Sequence, residues 1–483
     1  MTCRRLVAGA VVVLPFVTGV GCSLVNSFGD VLPASGDSGV DSSGDQTSPG
    51  FDSSPGSDTG ATHDAMQEGS ADSQTLSDAG PTQDSTVTDS ASMDSGPTTP
   101  VGAIVVGGNQ SGDGGFVLSV LDPTSGSELS REANTVVGVH YDGLRDLWYI
   151  FENNGGLGGI FPAPNDPVML SVRTLDTHTG VWTEKSKTAV PVLESTDTVA
   201  VLNERLAYVA YALNDAGNPT GGYELVLLDT SQPSAPVAID PPTPLSSLPT
   251  GTIGTRNAGG VGGTINLFHV DTTQCQGGGD AGPQLCELVS VHADVPSGGT
   301  PTLFPQVDLA AVNSQNAEGF GSYITGGPED VIAFPPLGAA SGYVQRFLTS
   351  TSAAVSGSQV SFATGDPHLQ TLAISECHST AFVVGIPSDT QVYGVPLTGL
   401  TSTVVTADLG HAGQGVVYEP FTDTVLTPFK ASGSFSLDAY VLGGTASSPT
   451  LTSRVSAGTW SPPADLEPNF VGVRQPIPIT CPP

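Results

Sequence analysis

Cations are scarce in this chain. Its 483 residues carry 13 Lys and Arg against 47 Asp and Glu, a formal charge of −34, and no Lys or Arg lies between Arg5 and Arg131. Phosphate backbones are held by clustered cations, so nucleic acid is excluded as a partner. Electrostatic docking on anionic lipid is disfavoured for the same reason. No apolar run is long enough to cross a bilayer as a helix. Also missing are a metalloprotease HExxH, CxxC pairs, a P-loop, a strand-anchored GxGxxG and a GxSxG nucleophile elbow. Their absence removes the commonest signatures of zinc proteolysis, nucleotide binding and serine-type acyl transfer. Helical periodicity is hard to find anywhere.

At the N-terminus, Arg4 and Arg5 precede Leu6 to Val17, an apolar run of secretory-signal length that contains Pro15. Thr18-Gly19-Val20-Gly21-Cys22 follows. These residues resemble the lipobox of bacterial lipoproteins, in which small residues precede a Cys that is acylated and becomes the new N-terminus; Gly19 stands where that family usually has Leu. The resemblance implies a signal peptide over residues 1–21, lipid at Cys22, and a membrane partner reached through the covalent anchor. The expected place is the cell envelope, at the outer membrane or the cell surface. An ordinary signal peptide cut after Gly21 is the alternative. Cysteine usage favours lipid, because an unmodified Cys22 would be an odd thiol in an oxidising compartment.

From residue 22 to 100 the chain is mainly Asp, Ser, Gly, Thr and Pro, with 12 Asp and one Glu between Asp30 and Asp94. Too little apolar surface is present to offset the entropy of ordering, so the segment reads as a disordered, self-repelling acidic tether with an end-to-end distance of roughly 50 Å. The irregular carboxylate spacing fits no calcium-loop pattern. Ser and Thr are abundant enough for O-glycosylation.

Residues 101–483 have a different texture: short β-rich runs separated by Gly, Pro, Asn and Asp. One pattern, alternating apolar residues and often then Asp and a turn, recurs as 117–122, 172–176, 225–229, 288–291, 343–347, 392–395 and 437–441. The seven copies are about 45 to 65 residues apart, within the range of propeller-blade repeats. Upstream of several copies lies a strand, a tight acidic turn and a second strand: Val139 to Asp142 then Asp146 to Ile150, and Val416 to Glu419 then Asp423 to Leu426. Two hairpins per period make a four-stranded blade. The domain therefore reads as all-β, a seven-bladed β-propeller, and resembles the YVTN-type and quinoprotein-like bacterial propellers. Phe470 to Val473 looks like the inner strand of a blade whose other three strands lie in residues 103–131, which would close the ring and remove its free edges. Two β-sandwiches of about 190 residues are the architectural alternative.

Four cysteines lie in this domain, and of three pairings the spacing favours Cys275–Cys286, across a Gly-rich loop, and Cys377–Cys481, pinning the C-terminus. Chemistry is thin. His140 beside Asp142 and His378 beside Glu376 are candidate acid–base pairs or metal ligands, although an acid at a turn needs no function. Arg256 and Arg474 are candidates for the central channel, where an Arg could hold an anion or be ion-paired. Ser111 to Gly115 reads as a hairpin turn. No catalytic residue and no cofactor is assigned; calcium is the one metal the acidic loops would suit.

Two functions remain. In the first the ring is a binding or scaffolding module for a protein or polysaccharide; in the second it is a hydrolase of lactonase type with a calcium-bound or channel-centred site. Scattered polar residues at the expected starts of the inner strands (Thr135, Thr198, Thr252, Gly319, Leu369, Gln414, Asn469) favour the first. The loops joining second to third strands are long at 107–115, 152–167, 214–222 and 271–286 and short elsewhere. Long loops on one sector of a rigid ring are a common binding surface. Within them Glu152, Asn153, Asn154, Asp166, Asn214 and Asp215 offer polar contacts and Phe161 an apolar anchor, suited to a neutral or cationic partner.

Overall fold

The computed structural model describes residues 26–27, 102–110, 115–153, 168–191, 193, 198–214, 218–249, 251–256, 261–276, 285–313, 319–322, 329–334, 342–361, 369–385, 391–397, 405–408, 415–431, 434–445, 448–479 and 481. Its regular elements are strands, and no helix among the described residues is long and apolar enough to cross a membrane.

The strands form seven antiparallel sheets. The first blade joins both ends of the domain. Its inner strand is Leu466–Val473, followed outward by Ile104–Gln110, Phe116–Leu121 and Glu128–Ala133. Blades two to seven each take four or five strands in chain order, with inner strands Val136–Asp142, Val199–Leu202, Gly251–Arg256, Gly319–Ser322, Leu369–Ser375 and Val417–Glu419. These seven inner strands touch one another in a closed cycle, the last meeting the first. The chain is thus a seven-bladed β-propeller, and each recurring apolar run is the third strand of a blade. Two details depart from expectation. The inner strand of blade one begins at Leu466 rather than near Asn469. Asn26–Ser27, within the stretch read as tether, pairs with Val471 and Phe470 on the inner edge of blade one.

Because strand side chains alternate between faces, a blade buried on both sides must be apolar at successive positions. Val136–Asp142 and Leu147–Asn153 are buried at every residue. The buried apolar residues fall into seven clusters, one at each seam between neighbouring blades. The largest fully buried side chains include Trp148, Tyr149 and Phe151 on one strand of blade two. Outer strands are guarded against pairing with other chains. Glu128, Arg131 and Glu132 charge the first, Lys185 and Lys187 the second, and Pro241, Pro242 and Pro244 interrupt the third.

Candidate functional site

Alternating strand directions give the ring two faces. Turns joining first to second and third to fourth strands emerge on one, the turn face. Loops joining second to third strands emerge on the other, the loop face.

On the turn face the acidic residues are spent on structure. Asp122, Asp176 and Asp229, each just after a third strand, accept backbone N–H bonds from Thr124 (2.6 Å), His178 (2.9 Å) and Ser231 (2.9 Å). The Tyr-acid-x-x-x-Asp spacing of blades two and seven builds one device twice. Tyr141 donates to Asp146 and Tyr418 to Asp423, both at 2.7 Å, and both aspartates hold a left-handed backbone with φ near +54° (53° and 54°). Each carboxylate also meets a basic side chain from the preceding blade: Arg474 at 2.6 Å for Asp146, and the His378 imidazole at 2.7 Å for Asp423. Burial pushes the Asp146 carboxyl up, but the bonds from Arg474 and Tyr141 outweigh it and hold it below its ordinary value. The acid after each Tyr caps its own turn. Asp142 accepts from Leu144 N at 3.2 Å, and Glu419 from Thr422 N at 2.8 Å and Phe421 N at 3.0 Å.

Neither proposed histidine pair forms. His140 is fully buried with both ring nitrogens unbonded, while Asp142 turns to Arg145 at 2.7 Å and Arg256 at 2.9 Å. His378 turns to Asp423, on the next blade. Arg256 reaches from blade four to blade two, past blade three, and Arg474 is paired as above, so both channel candidates are occupied by carboxylates. Arg256 Nη2 meets Asp142 without hydrogen-bond alignment, and its Nε and Nη1 have no protein acceptor, so the attraction is chiefly coulombic.

The C-terminal segment then crosses this face. Leaving blade one at Val473, it donates from Ile477 N to Gly143 O of blade two (2.8 Å) and from Gln475 Nε2 to Tyr418 O of blade seven (2.7 Å). It ends at Cys481, disulfide-bonded to Cys377 of blade six. Gly143 lies so close under this strap that a Cβ there would collide with the Gln475 carbonyl.

On the loop face the roots of the four long loops are fixed. In blade one Gln110 N bonds Gly115 O at 3.1 Å. In blade two Glu152 is buried and paired with Arg173 at 2.7 Å and Lys187 at 2.5 Å, while Arg173 also bonds Glu132 of blade one. Asn153, also buried, donates its N–H to Thr135 O at 2.8 Å. In blade three exposed Asn214 closes a turn, its N–H donating to Asn218 O at 2.8 Å and its Oδ1 accepting from Asn218 N at 3.0 Å. In blade four Cys275 is bonded to Cys286. Residues 107–110, 152–153, 219–222, 271–276 and 285–286, read as loop, continue their strands instead, which leaves 111–115 on blade one and 214–218 on blade three shorter than 335–342 on blade five, read as short. Asn154, Phe161, Asp166 and Asp215 lie outside the described residues, as does Ser111 to Gly114. Sequence reasoning missed Arg173 and the Arg131–Asp465 pair, a two-pronged contact at 2.7 and 3.0 Å beside the root of the first loop. The available signal for Arg173 was a cation at a buried position of a third strand, directly after the apolar Val172. Among the described residues no group of three or more His, Cys, Asp and Glu is placed to hold a metal.

No protein-family model matches the chain, and neither does any curated protein. Among solved structures, a candidate 6-phosphogluconolactonase from Bacteroides uniformis is similar at 12% identity, TM-score 0.50, over 77% of this chain and 99% of its own. A second candidate 6-phosphogluconolactonase, from Bacteroides fragilis, shares 12% identity at TM-score 0.45, over 73% of this chain and 93% of its own. At this identity the likeness is one of fold, the seven-bladed ring itself.

Proposed function

We propose that the protein is an exported lipoprotein, anchored through Cys22, whose propeller binds a protein or polysaccharide on the loop face of blades one to four. The contrast between the two faces supports this reading. On the turn face the charged groups of the repeated turns are tied into links between blades, and the strap bonds the backbone of two of those turns. On the loop face blades one to four carry second-to-third loops, the longest being 154–167 on blade two, on roots fixed by ion pairs, a turn and a disulfide. A rigid base with variable loops is how binding surfaces are commonly built. The acidic charge suits a neutral or cationic partner, a glycan or a basic protein patch, with calcium as an accessory.

Glu152 and Asn153 act in this reading as supports, and contact is assigned to the residues beyond them. The test replaces residues 155–166 and 215–217 by tight turns, keeping both roots. Binding found by glycan array or pull-down should vanish while the melting temperature stays within a few degrees; binding that survives both replacements overturns the site. Fatty-acid labelling that marks wild type and not Cys22→Ser supports the anchor, and equal labelling of both overturns it.

A second reading, a hydrolase of lactonase type, draws on the Bacteroides uniformis structure, whose whole length matches this ring. The fold comparison leans toward it, whereas the engagement of the inner carboxylate of Asp142 by Arg145 and Arg256 leans toward binding. Hydrolysis of 6-phosphogluconolactone by the purified domain, faster than the spontaneous reaction, would decide for the enzyme.

A further inference from the structure

The seam between blades four and five contains a carboxyl group that none of the roles above uses. Asp330, at the start of the second strand of blade five (Glu329–Phe334), is fully buried at the edge of an apolar cluster holding Phe268, Ile332, Phe334 and Phe347. Its Oδ2 accepts from Asn266 Nδ2 of blade four at 2.7 Å, and its Oδ1 faces the Thr349 hydroxyl at 3.1 Å. Asn266 Nδ2 also donates to Thr349 O at 2.9 Å, which fixes the amide so that its Oδ1 faces His292 Nδ1 at 2.8 Å. His292 Nε2 lies 3.2 Å from Asp294 Oδ1, whose side chain is 54% exposed. A continuous line of polar groups therefore runs from solvent at Asp294 to the buried carboxyl.

No cation contributes to the carboxyl's surroundings. Glu329 and Arg346, on the other face of the same sheet, pair with each other at 2.7 Å. Ser290 and Ser352, which also span the seam, bond to each other at 3.0 Å. Such an environment penalises the anion. Burial pushes Asp330 up to about 7, against the bonds from Asn266 and Thr349 that favour its charged form. The two ring nitrogens of His292 face Asn266 Oδ1 and Asp294 Oδ1, which seats the imidazole in the line between solvent and the carboxyl.

We propose that Asp330, Asn266 and His292 form a pH-sensitive joint between blades four and five, fully bonded in mildly acidic surroundings and loosened in alkaline ones. Protonated Asp330 donates to the Thr349 hydroxyl and still accepts from Asn266, whose Oδ1 faces His292 Nδ1 from the other side. Loss of the carboxyl proton leaves a buried anion with no cation beside it. The strand carrying Asn266, Gly263–Gln276, continues to Cys275 at the root of the blade-four loop, so the joint bears on the loop face.

The sign follows from proton counting. Between the unfolded value of 3.8 and the folded value of about 7, the closed seam holds a proton that the opened one has lost. Seam stability therefore falls as pH rises through that window and levels off above it. Amide hydrogen exchange of the intact domain reads this directly. From about pH 5.5 to about pH 8.5, the opening equilibrium of strands 263–276 and 329–334, corrected for intrinsic exchange, should rise at least about tenfold, with roughly thirtyfold as ceiling. Strand Thr380–Gly385 of blade six, in an apolar seam, is the reference and should not follow. Asp330→Asn should abolish the step. Thr349→Val, which removes a bond favouring the anion, should move the midpoint upward and keeps the test open should Asp330→Asn not fold. No step in the wild type, a step that persists in Asp330→Asn, or an unmoved midpoint in Thr349→Val each overturns the joint.

Discussion

Arg256 of blade four lies 2.9 Å from Asp142 of blade two, and their side chains are 1% and 0% exposed. A side chain that skips a blade acts on the ring as a whole, since it resists any change in the separation of blades two and four. Asp142 is not left to it alone: Arg145 holds the same carboxylate and reaches Thr230 O of blade three at 2.5 Å. The inner strands of blades two and four and the turn after the third strand of blade three are thereby fixed at one point.

Removing one partner of a buried pair leaves an uncompensated charge. Arg256→Met should cost about 3–5 kcal/mol in urea denaturation, softened by Arg145, which remains beside Asp142. Arg256→Met combined with Asp142→Asn should recover part of that loss, because neither charge is then buried alone. Equal loss in the single and double variants would show that packing, and not charge, accounts for the effect.

The paired Tyr–Asp devices predict a symmetric result. Tyr141→Phe and Tyr418→Phe each delete one hydroxyl bonded to a carboxylate at 2.7 Å, and each should cost about 1 kcal/mol. They lie at different seams and the two hydroxyls bond different carboxylates, so the double variant should lose the sum within about 0.5 kcal/mol. A markedly larger loss would mean that the seams are coupled around the ring.

These devices show what a sequence can reveal. The Tyr-acid-x-x-x-Asp spacing is local, and so are the strand-ending Asp122, Asp176 and Asp229. Turn chemistry operates over a few residues, so the blade repeat was legible. What the turn residues bond to was not. Asp146 needs Arg474 from the far end of the chain, and Asp142 needs Arg256. Closure of the ring creates these pairs, and no periodicity encodes them. Glu152 misled for the same reason. It borders a long loop and reads as an exposed acceptor, but its strand position sets it against Arg173, which points into the same seam-lined face. His140 and Asp142 do share a strand face, yet the partners of Asp142 are cations, Arg145 of its own turn and Arg256 from across the ring.

The strap should behave as a unit. Cys377–Cys481 spans 104 residues, and its loss should cost about 2–5 kcal/mol, most of it through the freedom restored to the unfolded chain. Gly143→Ala acts on the same segment without touching sulfur, by displacing the Gln475 carbonyl. It should speed reduction of Cys377–Cys481 by dithiothreitol while leaving Cys275–Cys286 unchanged, as read by alkylation and peptide mapping. Equal acceleration of both bridges would mean that the substitution loosens the whole ring and not the strap.

His140 gives the clearest pH signature outside the blade-four joint. It is fully buried beside Phe151, with neither nitrogen bonded, and burial pushes its imidazole down to about 3. An unfolded histidine takes a proton near 6.5. Between those values the unfolded chain binds a proton that the folded ring refuses, so stability falls as pH drops from about 6.5 toward 3 and is independent of this group above 6.5. His140→Leu removes both the titration and the two unsatisfied nitrogens. At pH 7 the variant should match wild type or exceed it by about 1 kcal/mol. Near pH 4.5 its advantage should grow by a further amount on the order of 2 kcal/mol. The difference between the two proteins cancels Asp330 and every other titrating group, whose contributions are common to both. Denaturant melts at the two pH values are sufficient. An advantage that stays constant with pH would mean that His140 is protonated in the folded ring, and that water or a partner reaches it.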